Sequence, residues 1–234
     1  MFVGHLAIAL AAKRAAPTVS LGWLMAGVTA LDLLWPIFLL VGIEHVSIVP
    51  GATAVNALVF DSYPWSHSLI MSVVWAVAFV GLVRSSGIRG SAMLLGALVV
   101  SHWVLDFVSH VPDMPLWPGS SPRFGLGLWR SIAWTFIVEG TMWAAGIVAY
   151  VRFQAIDRWR SRIAFWSLIA VTTAMWIAGP WSPPPPNARA LAWFALVGWI
   201  IIPWAALAES PRGSSGTAHR RAARAKPIMR NSQT

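Results

Sequence analysis

Long apolar runs alternate along this chain with short connections carrying polar residues, proline and glycine. Six apolar windows fall at about 19–43, 66–83, 91–111, 131–151, 163–180 and 190–208. Each is close to the roughly 20 residues that a helix needs to cross the hydrocarbon core of a bilayer. Barrel strands need only about 9–11 residues of alternating polarity, which these runs do not show. The stretch 2–12 is too short to span alone and reads as an interfacial or half-inserted helix. The pattern predicts an all-α fold, a polytopic transmembrane helical bundle of about six spans plus a short N-terminal helix.

Composition agrees. Apolar residues make up 57% of the 234 and charged residues 11%, against roughly 25% charged in a soluble domain. Such a chain has too little polar surface for a water-soluble fold, so the lipid bilayer is its expected partner. Cysteine is absent, which excludes disulfides, thiolate metal sites and cysteine nucleophiles. The start does not read as a secretory signal, because Lys13 and Arg14 follow the apolar stretch rather than precede it.

The net charge of +9 is distributed as a topology signal. With the N-terminus placed inside, 14 Lys and Arg fall on the inner side and three, Arg123, Arg130 and Arg189, on the outer. The positive-inside rule then puts both termini in the cytoplasm. Residues 209–234 read as a disordered, basic, lipid-contacting tail behind a membrane domain at 1–208. Nothing aromatic or motif-like in that tail points to nucleic acid. The long outer loops, about 44–65 and 112–130, are rich in Pro, Gly, Trp and Ser. Several of the 16 Trp lie near span ends, where interfacial belts form.

Against this background the ionisable residues inside the spans stand out, since each costs at least about 2.5–3.5 kcal/mol at mid-bilayer. They are Asp32, His102, Asp106 and Glu139. At about 100° per residue, Asp106 lies roughly 40° from His102 on its helix, and His110 roughly 80°. A His and an Asp four residues apart can hold one metal ion together. Imidazole with carboxylate suits zinc, manganese or iron better than magnesium. His67, in Trp65-Ser66-His67-Ser68, starts the second span at a compatible depth. Asp32 sits near the middle of the first span and Glu139 about eight residues, or about 12 Å, below the outer end of its own. His5 can approach Asp32 from below, which would bury the amino terminus. Pro112 is expected to end the third span and leave Asp113 in the loop. His45 and His219 read as ordinary loop and tail residues.

Taken in order, Gly4-His5, Leu31-Asp32, Ser66-His67-Ser68, His102-Trp-Val-Leu-Asp106 and Trp117-Pro118, with Glu139 after them, resemble a known pattern. It is that of the bacterial inner-membrane family of membrane-bound metal-dependent hydrolases. The match covers about residues 1–140, and the last two spans add nothing specific. Two departures are plain. The family's Pro-Asp-x-Asp-His block is reduced here to Asp32, and its Arg-Gly before Thr-His-Ser is missing. His110 and Asp113 are candidates to replace the lost groups.

The resemblance implies an inner-membrane enzyme with a divalent metal ion, most simply zinc, held by His67, His102 and Asp106. His5 and Asp32 would be further ligands or supports, and Asp32 or Glu139 the general base. Its motif order is also similar to that of secreted zinc phospholipases C. By analogy, this suggests an ester or phosphoester, lipid-like substrate. Two other classes remain open from the residues alone: a proton-coupled transporter and a non-catalytic scaffold whose polar residues hold helices together.

Overall fold

The computed structural model describes residues 1–88, 90–154 and 156–209. Arg89 and the basic tail from 210 onward lie outside the described residues. The fold is an all-α bundle, and five of its helical segments are long and apolar enough to cross a membrane. These are α2 (Leu21–Leu40), α5 (Ala92–Ser109), α6 (Ile132–Phe153), the stretch Trp159–Trp181 that contains α7 (Trp159–Ala178), and Ala188–Leu207. Large apolar side chains such as Val77, Met93, Ile137 and Ile163 face outward from the bundle. That is the arrangement expected when lipid, not water, is the solvent. Exposed Trp134, Trp159 and Trp181 stand at the ends of α6 and α7, as interfacial anchors do.

The window 66–83 departs from one continuous span. Its first residues belong to a separate short helix, α3 (Pro64–His67), and only α4 (Leu69–Ser85, 17 residues) continues inward. Ser68 makes the break: its backbone is extended and its side chain accepts from the N–H of Met71, starting α4 as an N-cap. The break turns His67 into the bundle, where it is buried.

The last span is also composite. It runs through α8 (Ala188–Ala195), a tighter 3-10 stretch (Leu196–Ile200) and α9 (Ile201–Leu207). Pro203 explains the middle, since it offers no N–H to Trp199 and its ring crowds that carbonyl. Pro36 does the same to the carbonyl of Asp32 within α2.

The N-terminal helix α1 (Val3–Ala12) is built into the bundle. Val3, Leu6, Ala9 and Leu10 are buried, and the helix packs between α2 and α6. Gly146 of α6 permits this. A Cβ there would lie 2.7 Å from the Ala7 carbonyl oxygen and 2.9 Å from the Ala7 Cα. Lys13 at the C-terminal end of α1 is likewise buried, paired with Glu209 and donating to the Val19 carbonyl. The loops at about 44–65 and 112–130 carry local structure that the apolar pattern did not predict. β1 (His45–Ile48) pairs antiparallel with β2 (Leu58–Ser62), and β3 (Met114–Pro115) with β4 (Arg123–Phe124).

Candidate metal centre

The N-terminal end of α1, the C-terminal halves of α2 and α5, α3 and the N-terminal half of α6 meet at one end of the bundle. His5, Asp32, His67, His102 and Asp106 all converge there. Asp106 lies at the centre. Its Oδ2 is 3.0 Å from His102 Nε2 and 3.8 Å from His67 Nε2. Asp32 Oδ1 is 3.5 Å from His67 Nε2 and 3.6 Å from His102 Nε2. Two overlapping groups, His5–His102–Asp106 and Asp32–His67–His102, each have ligand atoms within 4.8 Å of one another. Two donors bound to one ion at about 2.0–2.1 Å in tetrahedral geometry stand about 3.3 Å apart. The observed spacings bracket that value.

Hydrogen bonding around the cluster fits a cation. His102 Nδ1 lies 2.7 Å from the Val28 carbonyl oxygen. A carbonyl only accepts, so Nδ1 carries a proton, and Nε2 is the nitrogen turned toward Asp106. That Nε2 is buried and lacks a hydrogen-bond partner among the described residues, despite Asp106 Oδ2 nearby. At this distance a positive charge belongs between the two atoms, either a ring proton or a bound cation, and His67 and Asp32 converge on the same point. The donor set therefore fits a divalent ion.

His5 reaches the opposite edge of Asp106. Its Nε2 is 3.1 Å from Oδ1, and its ring stacks on His102 with centroids 3.9 Å apart. The amino group of Met1 also meets Oδ1 and lies 2.9 Å from Ser109 Oγ. These contacts orient the carboxylate so that Oδ2 faces His67 and His102. Glu139 takes a different place from the cluster. Its Oε2 accepts from the backbone N–H of Phe2, at 2.9 Å, and of Gly4, at 3.3 Å. It anchors the start of α1 from α6.

Asp32, His67, Asp106, His110 and Glu139 line a cavity of about 390 Å³. Its other walls are mostly apolar and include Trp35, Phe60, Trp129, Phe136, Met175, Trp176 and Phe194. The ligand atoms of His67, His102 and Asp106 are buried, whereas the Asp32 side chain is 48% exposed. Asp32 thus occupies the cavity side of the cluster.

His110 and Asp113 are built into the wall rather than solvated. α5 ends at Ser109, one turn of sequence ahead of Pro112, and His110 caps it in extended conformation. The loop folds back so that Gly127 N–H donates to the His110 carbonyl at 2.7 Å. His110 Nδ1 is 3.0 Å from Asp113 Oδ1, and Nε2 is 4.0 Å from Asp106 Oδ2. The Tyr63 hydroxyl donates to the same Asp113 oxygen at 2.8 Å. Burial and the Asp113 carboxylate push the Tyr63 hydroxyl well above its ordinary value of 10.0.

Sequence reasoning missed Glu44. It is buried in the loop after α2 and contacts Trp65 and Ser66, 21 and 22 residues away. Burial pushes its carboxyl up, against the pull of the Ser66 hydroxyl and the backbone N–H groups. A lone acid beside His45 in an outer loop carries no signal of this, since the contact is made only by the fold. No protein-family model, curated protein or solved structure matches the chain.

Proposed function

We propose that this protein is a membrane-embedded, metal-dependent hydrolase of esters or phosphoesters, of the kind its motifs resemble. The observation that carries the reading is the convergence of His67 and His102 Nε2 on the carboxylates of Asp32 and Asp106, with imidazole-to-carboxylate distances of 3.0–3.8 Å. His67, His102 and Asp106 would hold the ion, and the chemistry of the set suits zinc, with manganese or iron as substitutes. When bound, such an ion supplies Lewis acidity to the scissile group and acidifies a water.

The chain's own groups divide the remaining work. Asp32 is the acid exposed to the cavity, within 3.6 Å of both imidazoles, and accepts the proton of the attacking water. Glu139 is already committed to two backbone donors, so the geometry favours Asp32 as base. His5 holds the Asp106 carboxylate in register. The apolar walls exclude water and favour a substrate with a hydrocarbon portion beside its ester. The charge asymmetry of the loops orients the cavity to the outer side of a bacterial inner membrane, with both termini cytoplasmic.

Detergent-purified protein tests this. Stoichiometric zinc, manganese or iron, with chelator-sensitive cleavage of p-nitrophenyl esters or bis(p-nitrophenyl) phosphate, is expected. Protein that binds none of these ions, and is indifferent to His102→Ala and Asp106→Ala, would sink the reading. Proton-driven solute uptake in proteoliposomes would replace it with transport.

A further inference from the structure

Glu44 uses both of its oxygens. Oε1 accepts from the backbone N–H of Trp65 at 2.8 Å and of Ser66 at 2.7 Å. Oε2 accepts the Ser66 hydroxyl at 2.6 Å. Ser66 Oγ is in turn 2.7 Å from His67 Nδ1. These contacts form a chain with a direction. A hydroxyl has one proton, and a carboxylate only accepts. Ser66 therefore gives its proton to Glu44, and its oxygen accepts from His67 Nδ1–H. The neutral ring is left with its lone pair on Nε2, the nitrogen that faces Asp32 at 3.5 Å and Asp106 at 3.8 Å.

We propose that Glu44 is a positioning residue that sets the tautomer of His67 through Ser66, so that Nε2 is presented as a ligand to a divalent cation. This rests on the metal-site reading above. It assigns a task to a loop carboxylate outside the membrane-spanning helices. It also explains why the short helix α3 has to break from α4. Only with Ser66 turned toward Glu44 and His67 turned inward can the chain close. Outer hydrogen-bond partners of this kind fix the orientation and proton position of metal-binding imidazoles.

A purely structural role for Glu44, holding the α3 backbone, makes a different prediction. Glu44→Gln keeps a carbonyl oxygen for the two backbone N–H groups but puts an N–H donor against Ser66. The hydroxyl then turns its proton to His67 Nδ1, at 2.7 Å, rather than to the more distant Tyr63 carbonyl at 3.5 Å, which moves the imidazole proton to Nε2 and blocks the ligand position. Ser66→Ala cuts the chain while leaving the backbone bonds to Glu44 in place.

The test uses the full chain in detergent, with ¹⁵N-histidine NMR of ion-free protein and Co²⁺ titration followed by visible absorption. Wild-type His67 is expected as the Nδ1–H tautomer. Glu44→Gln should switch it to Nε2–H and weaken Co²⁺ binding about 10–100-fold, with Ser66→Ala weakening it in the same range. Wild-type Co²⁺ affinity and an unchanged tautomer in Glu44→Gln and Ser66→Ala would overturn the assignment alone. Failure of the wild-type protein to bind Co²⁺ would overturn the metal-site reading with it.

Discussion

His102 Nε2 and Asp106 Oδ2 stand 3.0 Å apart on adjacent turns of α5, yet lie off the line that a hydrogen bond requires. His67 Nε2 lies 3.8 Å from the same Asp106 oxygen, and Asp32 Oδ1 lies 3.6 Å from His102 Nε2. Spacings of this size are those that donors bound to one ion adopt. His102→Ala should therefore lose ion affinity by more than the roughly 10–100-fold that removing an outer partner costs. Isothermal titration with Zn²⁺ against wild type measures it.

Asp32 separates from the other carboxylate by its exposure to the cavity. Asp32→Asn should keep ion binding within about tenfold, while hydrolysis falls about 10²–10⁴-fold, the usual contribution of a general base. Equal loss of both in one titration and one rate measurement would make Asp32 a ligand instead.

Glu139 distinguishes anchoring from catalysis. Glu139→Ala strands the N–H groups of Phe2 and Gly4 and should cost about 1–3 kcal/mol, read as a lower melting temperature in detergent. Glu139→Gln retains an acceptor and should restore most of that stability and of the hydrolytic rate.

Gly146 controls how closely α1 approaches α6, and hence where His5 stands. Gly146→Val drives a branched side chain into the Ala7 backbone. Overpacking of this kind costs about 1–3 kcal/mol. Thermal unfolding checks the loss, and a weaker Co²⁺ affinity would report displacement of His5 from Asp106.

Tyr63 makes a prediction at alkaline pH. The folded state holds its hydroxyl proton above the ordinary value of 10.0. The unfolded chain releases that proton first, so stability falls as pH rises from about 10. Tyr63→Phe should flatten this alkaline loss. At neutral pH it should cost about 1.5–3 kcal/mol for the bond to Asp113. Unfolding midpoints from pH 8 to 11 compare the two proteins.

The span pattern was legible because apolar length is a local property. Where it misled, backbone chemistry decided: Ser68 broke the start of one window, and Pro203 tightened the last. The short stretch 2–12 reads as interfacial by length, but burial depends on what packs around it, and Gly146 lies far along the chain. Asp32, His102, Asp106 and Glu139 could be singled out because ionisable groups are costly in lipid, whatever their neighbours, and His67 and His5 joined them by depth along the chain.

The sequence by itself determined the helical membrane class and the residues expensive enough to require a purpose. Hydrophobic length and the cost of burying charge are paid residue by residue, so both are written along the chain. Only the tertiary structure decided which nitrogen of each histidine faces the cluster, that Glu139 grips α1 rather than the ligands, and that Glu44 stands behind His67. Those relations depend on hydrogen-bond directions across 22 to 137 residues of sequence, which no local pattern encodes.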